Sequence, residues 1–401
     1  MDGDAFFVAC EVVKNPQLRG KAVVTGEERG IVSALSYEAK TLGITRGMPI
    51  FSLRKKFPSV LVLPGDYAFY AEISGKMFDI VRRYADDVEE YSIDECFADL
   101  TGLDRPLYMS YLEIATRIKK EVTDELGLSI SVGLAPTKVL AKVASKWQKP
   151  NGLTVIEKNN INNFLSKTPV EKIWGIGRRT SEFLKSKGVL TALDFVSQDI
   201  GWIRHYLSKP YETLWLELQG IPVLSVNPET KTKYSSIQKT RTFHPPTNDK
   251  IFLLSQLSKH IEDACRKARY YSLVPKKLSF FLKTQDFKYY QFTVALETPT
   301  SSPEIIVSLA RKYFDQIWKP KILYRTAGVT LVDLFSADVV QNDLFGGTAG
   351  VRKLETVYKQ IDSLEEKFGK RVVYLASTHE ANKRKASGTG SDDLDRNLLF
   401  L

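Results

Sequence analysis

Acidic side chains lie inside two short apolar segments, and this placement constrains the fold more than any other feature of the chain. The first segment opens the chain with Asp2 and Asp4 beside two phenylalanines, and the second carries Asp94 and Glu95. Both have apolar, β-branched or aromatic neighbours typical of strands, so burying these carboxylates without a counter-charge would cost several kcal/mol. The sequence therefore predicts a divalent metal ion as the counter-charge.

The adjacency of Asp94 and Glu95 limits where they can lie. Successive residues of a regular strand point to opposite faces of a sheet, so both side chains can reach one site only at a turn or a bulge. We therefore expect them at the tip of a hairpin that spans residues 88–100.

Length and cysteine content indicate the class of protein. A chain of 401 residues predicts two or more domains. The odd number of cysteines, without a close pair, argues against a disulfide framework and a cysteine zinc site, and predicts a cytoplasmic protein. Neither a run of about 18 apolar residues nor a basic segment followed by an apolar one is found, so we expect no membrane span and no signal peptide.

The basic residues are concentrated in one region of a chain whose net charge is +10. Residues 231–330 hold 18 Lys and Arg against 7 Asp and Glu, whereas the rest of the chain holds 39 against 40. Such an excess is typical of a surface that binds a phosphate backbone. An ordinary solvated basic face explains the charge equally well.

Hydrophobic periodicity predicts an α/β layer followed by a helical region and an α+β unit. A strand and mixed short elements are expected before residue 67, including a short helix at 36–43. The α/β layer is expected to contain a helix at 69–84, the hairpin, a helix at 108–127, a strand at 129–134 and a helix at 138–147. Short helices follow at 160–220 and a linker at 221–236. The α+β unit is expected to contain strands at 278–284, 289–296 and 325–331, with helices at 251–269 and 303–318.

The C-terminal part predicts one further helix. Its apolar residues recur at spacings of three and four, and Gly369 ends it; they are Leu354, Val357, Ile361, Leu364 and Phe368. Residues 378–395 are polar and are expected to be disordered, and residues 398–401 form an apolar tip.

Several shorter features carry chemical meaning. Tyr37 and Lys40 share one face of the short helix at 36–43. Lys149 follows the helix at 138–147. Gly175 and Gly177 indicate a turn between two helices, where free backbone N–H groups can hold a phosphate, although a plain helical corner has the same pattern.

Five motifs occur in a fixed order. They are the acidic segment at 2–7, Ser-Tyr-Glu-Ala-Lys at 36–40, Ser-Ile-Asp-Glu at 92–95, a helix ending in Lys-Pro-Asn-Gly at 138–152, and the glycine turn at 175–177. In order and spacing the chain resembles the Y-family DNA polymerases, in particular the DinB and UmuC branch, from Asp2 to about Leu375.

The resemblance implies a multidomain α/β and α+β fold, a right-hand polymerase with a palm, small fingers, a helical thumb and an α+β little finger. The expected bounds are 1–11 and 68–158 for the palm, 12–67 for the fingers, 159–230 for the thumb with its helix-hairpin-helix, 236–335 for the little finger, and 336–401 for a clamp-binding linker, amphipathic helix and flexible tail.

Roles for individual residues also follow from the resemblance. The catalytic metal ligands would be Asp2, Asp94, Glu95 and the carbonyl oxygen of Gly3, holding two Mg²⁺ ions, with Asp4 supporting them. Tyr37, Lys40 and Lys149 would bind the triphosphate. Phe7 would be the steric gate that excludes a ribose 2′-hydroxyl, although an aromatic residue read alone is more often core. DNA would contact Gly175, Gly177, Lys239 and Arg241.

A short peptide follows the last expected globular unit. Gln341, Leu344 and Phe345 resemble the QxxLF peptide with which bacterial polymerases hold the sliding clamp, although such patterns also recur by chance. The apolar tip at 398–401 is either a second such peptide or an untethered hydrophobic end.

Two features depart from the family pattern. Lys40 stands where many relatives have Arg, which keeps the charge but loses the bidentate fork. Asp2 directly follows Met1, whereas relatives usually have several strand residues before it, so an α-ammonium would compete with the ions. We therefore expect either a start further upstream or a compromised site.

The resemblance implies a translesion DNA polymerase of low fidelity, and the chain has no segment left over for a proofreading exonuclease. It would act as a monomer on primer-template DNA and dNTP with a sliding clamp, and not at a membrane. A non-catalytic DNA-binding scaffold and a palm-domain nucleotidyl cyclase are the alternatives. The basic unit and the glycine turn, which a cyclase does not need, argue against the cyclase.

Overall fold

In the computed structural model, which describes residues 1–229, 234–339, 347–368 and 371–386, the chain forms two units, Met1–Thr230 and Lys231–Phe400. The strands of the first unit are β1 (Asp2–Gly3), β2 (Val23–Thr25), β3 (Ala34–Leu35), β4 (Leu61–Leu63), β5 (Val88–Ser92), β6 (Glu95–Ala98), β7 (Ile130–Leu134) and β8 (Leu153–Val155). Its α-helices are α1 (Phe6–Lys14), α2 (Tyr37–Thr41), α3 (Ile50–Lys56), α4 (Tyr67–Arg82), α5 (Asp104–Leu107), α6 (Tyr111–Leu126), α7 (Lys138–Trp147), α8 (Ile161–Ser166), α9 (Arg178–Ser186), α10 (Ala192–Val196), α11 (Ile200–Tyr206) and α12 (Lys209–Leu218).

The shortest strand of the main sheet, β1, lies at its centre. The strand order is β5-β6-β1-β7-β8, and a second sheet has the order β3-β2-β4. In β1, Asp2 lies opposite Glu95 of β6 on one side and Ser131 of β7 on the other. The predicted hairpin and α/β layer are therefore confirmed, and the pairing brings the two acidic segments together.

The strand expected at the start of the chain ends sooner than predicted. Only Asp2 and Gly3 pair in the sheet, Ala5 adopts a left-handed conformation with φ of 48°, and α1 begins at Phe6. Residues 6–10 are all apolar, so the sequence shows no helical period, and the burial of Phe6, Val8 and Cys10 extends over more than one side of the helix.

Helix α7 packs unusually close to strand β7. A Cβ atom at Gly133 would lie 2.2 Å from the carbonyl oxygen of Ala141 and 2.3 Å from the backbone nitrogen of Ser145, so only glycine allows this approach. Thr137 caps the helix by accepting a hydrogen bond from the N–H of Leu140. The face of α7 that contains residues 141–145 therefore lies directly against the sheet.

The second unit has one antiparallel sheet covered by helices. Its strands are β9 (Ser236–Thr247), β10 (Leu273–Thr284), β11 (Tyr289–Ala295) and β12 (Tyr324–Ser336), in the order β11-β10-β12-β9. Its helices are α13 (Lys250–Tyr270), α14 (Pro303–Ile317), α15 (Gly347–Phe368) and α16 (His379–Ala386). Leu257 and Ile261 of α13 pack with Phe280 and Val329 of the sheet in one core. The predicted α+β unit is confirmed, and it contains one further strand, β9, that the sequence analysis did not predict.

The C-terminal part differs from the prediction in two ways. Residues 379–386, expected to be disordered, form α16, because Ala381 is buried and its N–H donates to Ser255 Oγ at 2.9 Å. The predicted amphipathic helix is present as α15, but Val357, Leu364 and Phe368 of its apolar stripe are exposed while Glu365 is buried. Residues 387–401, including the apolar tip, lie outside the described residues.

Among the described residues, no helix combines the length and apolar character needed to cross a membrane.

Candidate active site

Two carboxylates meet on one buried lysine at the centre of the main sheet. Lys142 Nζ lies 2.6 Å from Asp2 Oδ2 and 2.6 Å from Glu95 Oε1. The side chain of Lys142 is 5% exposed, that of Asp2 is 7% and that of Glu95 is 21%. The close approach of α7 to β7 at Gly133 brings Lys142 to this position.

Lys149 supplies a second cation to the same carboxylate. Its ammonium forms an ion pair with Asp2 Oδ1 and donates to the carbonyl oxygen of Gly3 at 3.2 Å. Asp4 Oδ1 lies 3.5 Å from the same nitrogen. Asp2 is therefore held between two ammonium groups, and Gly3 presents its carbonyl oxygen at the same place.

Asp94 occupies the turn of the hairpin, beside these groups. Its carboxylate accepts a hydrogen bond from Ser92 Oγ at 2.7 Å, and its carbonyl oxygen accepts one from the N–H of Gly3 at 2.7 Å. The register of β5 and β6 shifts between Glu90 and Ser92. This irregularity allows adjacent acidic residues to stand at one end of the hairpin.

Asp4 fastens the surrounding chain. Its carboxylate accepts hydrogen bonds from Ser129 Oγ at 2.7 Å, Ser131 Oγ at 2.8 Å and the N–H of Asn151 at 2.7 Å. Asp4 thus joins the end of β1 to β7 and to the turn that follows α7. These contacts set the positions of Asp2 and Lys149.

The charges shift the pKa values of the cluster in opposite directions. Burial raises the pKa of Asp2, but the ammonium groups of Lys142 and Lys149 outweigh it and lower that pKa to about 2. Burial raises the pKa of Glu95, which has a single ammonium partner and lies beside the charge of Asp2. Burial disfavours the charged form of Lys142, but Asp2 and Glu95 outweigh it and raise its pKa. Lys142 is therefore an ammonium ion.

The oxygen donors suit a hard divalent cation, but they are arranged around lysine. Carboxylate and carbonyl oxygens are the ligands that Mg²⁺ prefers. Within the described parts of the chain, no three His, Cys, Asp or Glu side chains form a group able to hold a metal ion. Asp2 and Glu95 converge on the ammonium of Lys142, so the chemistry of these donors suits Mg²⁺, but their present arrangement serves the lysine.

Phe7 is backed by aromatic rings. It stacks on Tyr70 with ring centroids 4.7 Å apart and an interplanar angle of 15°, and it meets Tyr67 edge-on at 5.4 Å. Tyr70 is fully buried and donates to Glu11 Oε1 at 2.5 Å. The ring of Phe7 is half-buried and cannot turn away from its position without breaking this stack.

Tyr37 lies beside the acidic cluster, at the first position of α2. Burial, together with the charges of Asp4 and Asp2, raises the pKa of Tyr37 to about 12. Lys40 is exposed, and its ammonium lies 5.8 Å from the centroid of the Tyr37 ring. The structure thus places Tyr37 next to Asp4, near Asp2, and leaves the Lys40 ammonium on the solvent side.

The glycine turn contacts the acidic hairpin through tryptophan. Gly175 has φ of 94°, and Gly177 is the N-cap residue that precedes α9. The element before the turn is a single 3₁₀ turn, Val170–Lys172, rather than the expected helix. Trp174 Nε1 donates to the hydroxyl of Tyr91 on β5 at 3.2 Å.

Other predicted residues lie elsewhere. Lys239 and Arg241 are half-buried on β9, on the strand face that also carries the buried Ile237 and Phe243. The predicted clamp-binding residues, Gln341, Leu344 and Phe345, lie outside the described residues.

Sequence reasoning did not identify Lys142 and Tyr70. Lys142 occupies a buried position between Ala141 and Val143 on α7, and a lysine on an apolar helix face is the signal that could have identified it. Tyr70 has no such signal, because one aromatic residue among many on α4 reads as core.

Comparisons with known proteins agree with this geometry. The impB/mucB/samB family model matches residues 1–146, its C-terminal domain matches 234–344, and the IMS family HHH motif matches 158–189. DNA polymerase IV of Desulfatibacillum aliphaticivorans is 32% identical over 94% of this chain and 95% of that protein. Protein UmuC of Salmonella typhimurium is 33% identical over 94% of this chain and 92% of that protein.

Solved structures of the same class share the fold. A Y-family DNA polymerase chimera of Dbh and Dpo4 superimposes with a TM-score of 0.70 at 26% identity, covering 84% of this chain and 98% of that one. An insertion ternary complex of Dbh DNA polymerase covers the same shares with a TM-score of 0.56 and 26% identity. The chain therefore belongs to the impB/mucB/samB family, the DinB and UmuC branch of the Y-family polymerases. It is a DNA-directed DNA polymerase.

Proposed function

We propose that this polymerase copies damaged templates with low fidelity, transferring nucleotidyl groups from dNTP to a primer 3′-hydroxyl with the help of two metal ions. The observation that carries the proposal is the convergence of Asp2 and Glu95 on one buried positive charge, with Asp94 in the adjoining turn. Buried carboxylates with a charged partner, in the central sheet of a chain of this family, favour a catalytic site over a DNA-binding scaffold.

The metal ligands would be the carboxylates of Asp2, Asp94 and Glu95 and the carbonyl oxygen of Gly3. Mg²⁺ is the expected ion because every donor is a hard oxygen. When bound, the ions lower the pKa of the primer hydroxyl and neutralise charge on the triphosphate and pyrophosphate.

The remaining residues would orient the nucleotide. Lys149 and Lys40 offer ammonium groups to the triphosphate, and Tyr37 offers a hydroxyl whose raised pKa keeps it a hydrogen-bond donor. Lys149 would exchange its contact with Asp2 for phosphate oxygens as the nucleotide arrives. Phe7, held by its stack on Tyr70, would fill the space beside the sugar C2′ and so exclude ribonucleotides.

DNA binding would use both units. The backbone N–H groups at Gly175 and Gly177 would contact phosphates, which positions the duplex without reading its sequence. Lys239 and Arg241 of β9 would contact the backbone in the basic second unit.

Primer extension tests the proposal. Asp94→Ala and Glu95→Ala should each abolish Mg²⁺-dependent extension while primer-template affinity, measured by fluorescence anisotropy, stays nearly unchanged. Glu90→Ala is a matched control on the same hairpin, because Glu90 is exposed and pairs with Arg82. Extension by either active-site variant at the rate of Glu90→Ala would contradict the assignment.

We also propose that the peptide at 341–345 binds a sliding clamp. Leu344 and Phe345 would enter an apolar pocket, each contributing roughly 1.5–3 kcal/mol if fully buried. Replacing both with Ala should lower clamp affinity about a hundredfold or more and leave extension of short primers intact. Equal clamp stimulation of variant and parent would indicate a contact at residues 398–401 or no clamp partner.

A further inference from the structure

The ammonium of Lys142 lies between the carboxylates of Asp2 and Glu95, where a metal ion bound to both would also have to lie. Its Nζ is 2.6 Å from an oxygen of each carboxylate, and the side chain is almost wholly removed from solvent. Two carboxylates this close to each other repel unless a positive charge lies between them. In the metal-free protein, Lys142 supplies that charge.

The carboxylate oxygens that contact Lys142 cannot bind a metal ion while they keep both of these ion pairs. Asp2 Oδ2 and Glu95 Oε1 are the atoms that face the ammonium, and Lys149 already takes Asp2 Oδ1. A divalent ion that enters between Asp2 and Glu95 therefore meets a positive charge at hydrogen-bond distance from its ligands. Ion binding requires the ammonium of Lys142 to move or to give up one of its partners.

We propose that Lys142 is a positioning residue, an exchangeable cation that holds Asp2 and Glu95 together until a divalent metal ion displaces it. This inference rests on the metal site of the proposed function and adds a cost to metal binding. Lys142 stabilises the metal-free site and lowers its affinity for the ion. The site therefore binds a metal ion only when the free energy gained from binding exceeds the free energy lost with the ion pairs of Lys142 to Asp2 and Glu95.

Lysine is suited to this exchange. Its ammonium is a compact charge on a flexible four-carbon stem, whereas an arginine fork would bind both carboxylates in a fixed plane. Lys146, one turn further along α7, is exposed. It has no ion pair with Asp2 or Glu95 among the contacts of the described residues, so it is a matched control.

Metal binding to Lys142→Met and Lys146→Met tests the inference. Mn²⁺ affinity is measured calorimetrically with a dideoxy-terminated primer-template and the next dNTP, and melting temperature is measured in EDTA and in Mn²⁺ on the protein alone. Lys142→Met should bind Mn²⁺ about tenfold or more tightly, melt earlier than the parent in EDTA, and recover most of this loss in Mn²⁺. Lys146→Met should match the parent in all three measurements.

A labelling experiment on the parent covers the case in which Lys142→Met does not fold. The acetylation rate of Lys142 by acetic anhydride, read by mass spectrometry, should rise at least severalfold when Mn²⁺ is added, while that of Lys146 stays constant. An unchanged rate for Lys142 would overturn the inference, as would equal Mn²⁺ affinity of parent and Lys142→Met. In either case Mg²⁺-dependent extension by the parent would leave the proposed function standing, whereas its absence would contradict the function itself.

Discussion

Two buried clusters of charge, one in each unit, use similar residues for different ends. In the first, Asp2 and Glu95 share Lys142. In the second, Arg371 reaches three carboxylates: Asp263 at 2.7 Å, Glu365 at 3.0 Å and Glu262 at 3.5 Å. The flexible lysine side chain of the first cluster can be exchanged for another cation, whereas the planar guanidinium of the second cluster holds its carboxylates in a fixed geometry.

The second cluster has a structural role. Glu262 and Asp263 belong to α13, and Glu365 belongs to α15, so Arg371 joins these two helices. Glu262 Oε1 also accepts a hydrogen bond from the N–H of Leu375 at 2.7 Å. A buried charge network in a family of enzymes is therefore not by itself a catalytic site. The proposed displacement of Lys142 by a metal ion is what would distinguish the first cluster from the second.

The largest expected difference between the clusters follows from Arg371→Met. Removing the guanidinium takes the Arg371 ion pair from Glu262 and Asp263 and one of two cationic partners from Glu365, which also pairs with Arg266 at 2.8 Å; it should destabilise the second unit by about 3–5 kcal/mol. Urea unfolding with and without Mg²⁺ measures the effect. Mg²⁺ should not restore the stability lost in Arg371→Met, whereas a divalent ion should restore that lost in Lys142→Met. Restoration of Arg371→Met by Mg²⁺ would show that the two clusters do not differ.

The pH dependence of the second cluster follows from Glu262. Burial raises its pKa to about 7, and the N–H of Leu375 and the charge of Arg371 offset this only in part. The folded state therefore holds the proton more tightly than the unfolded state, and stability falls as pH rises from about 4.5 to about 7, by roughly 3 kcal/mol in total.

Glu262→Gln should remove this part of the pH profile. The free energy of unfolding is compared between parent and variant from pH 4.5 to 8, with the exposed Glu297→Gln as control. The difference between parent and Glu262→Gln should grow up to about pH 7 and then level off. Parallel profiles would show that Glu262 ionises as an ordinary carboxyl group.

Phe7 tests whether the first cluster serves a nucleotide. Phe7→Ala should open space beside C2′ and raise the ratio of ribonucleotide to deoxynucleotide incorporation roughly 10- to 200-fold. Single-nucleotide extension measures the ratio, and Phe7→Tyr, which keeps the ring, should retain discrimination. An unchanged ratio in Phe7→Ala would assign Phe7 to the aromatic core with Tyr70.

The smallest effect concerns the basic surface of the second unit. Lys239→Ala combined with Arg241→Ala should flatten the dependence of log K on log salt by about one for each phosphate that the variant no longer neutralises. Arg311→Ala with Lys312→Ala, exposed on α14, removes the same charge and should leave the slope unchanged. Equal slopes for both double variants would show that Lys239 and Arg241 affect DNA binding only through the net charge of the unit and not through contacts with individual phosphates.

Local patterns predicted much of the fold, because hairpins and amphipathic helices depend on nearby residues. The hairpin that carries Asp94 and Glu95 follows from strand alternation and from the adjacency of two acids. Helix α1 was not predicted, because it is buried on more than one side and its apolar residues therefore show no helical period. The role of Lys142 and the cluster around Arg371 depend on partners distant in sequence, which no local pattern encodes.

Manganese anomalous diffraction from crystals with a dideoxy-terminated primer-template and the incoming dNTP tests the central claim most directly. We predict two peaks roughly 3.5–4 Å apart beside Asp2, Asp94 and Glu95. We also predict that Lys142 Nζ will have withdrawn from at least one of its two carboxylate partners. Intact ion pairs from Lys142 to both Asp2 and Glu95, with no peak between these carboxylates, would contradict the account.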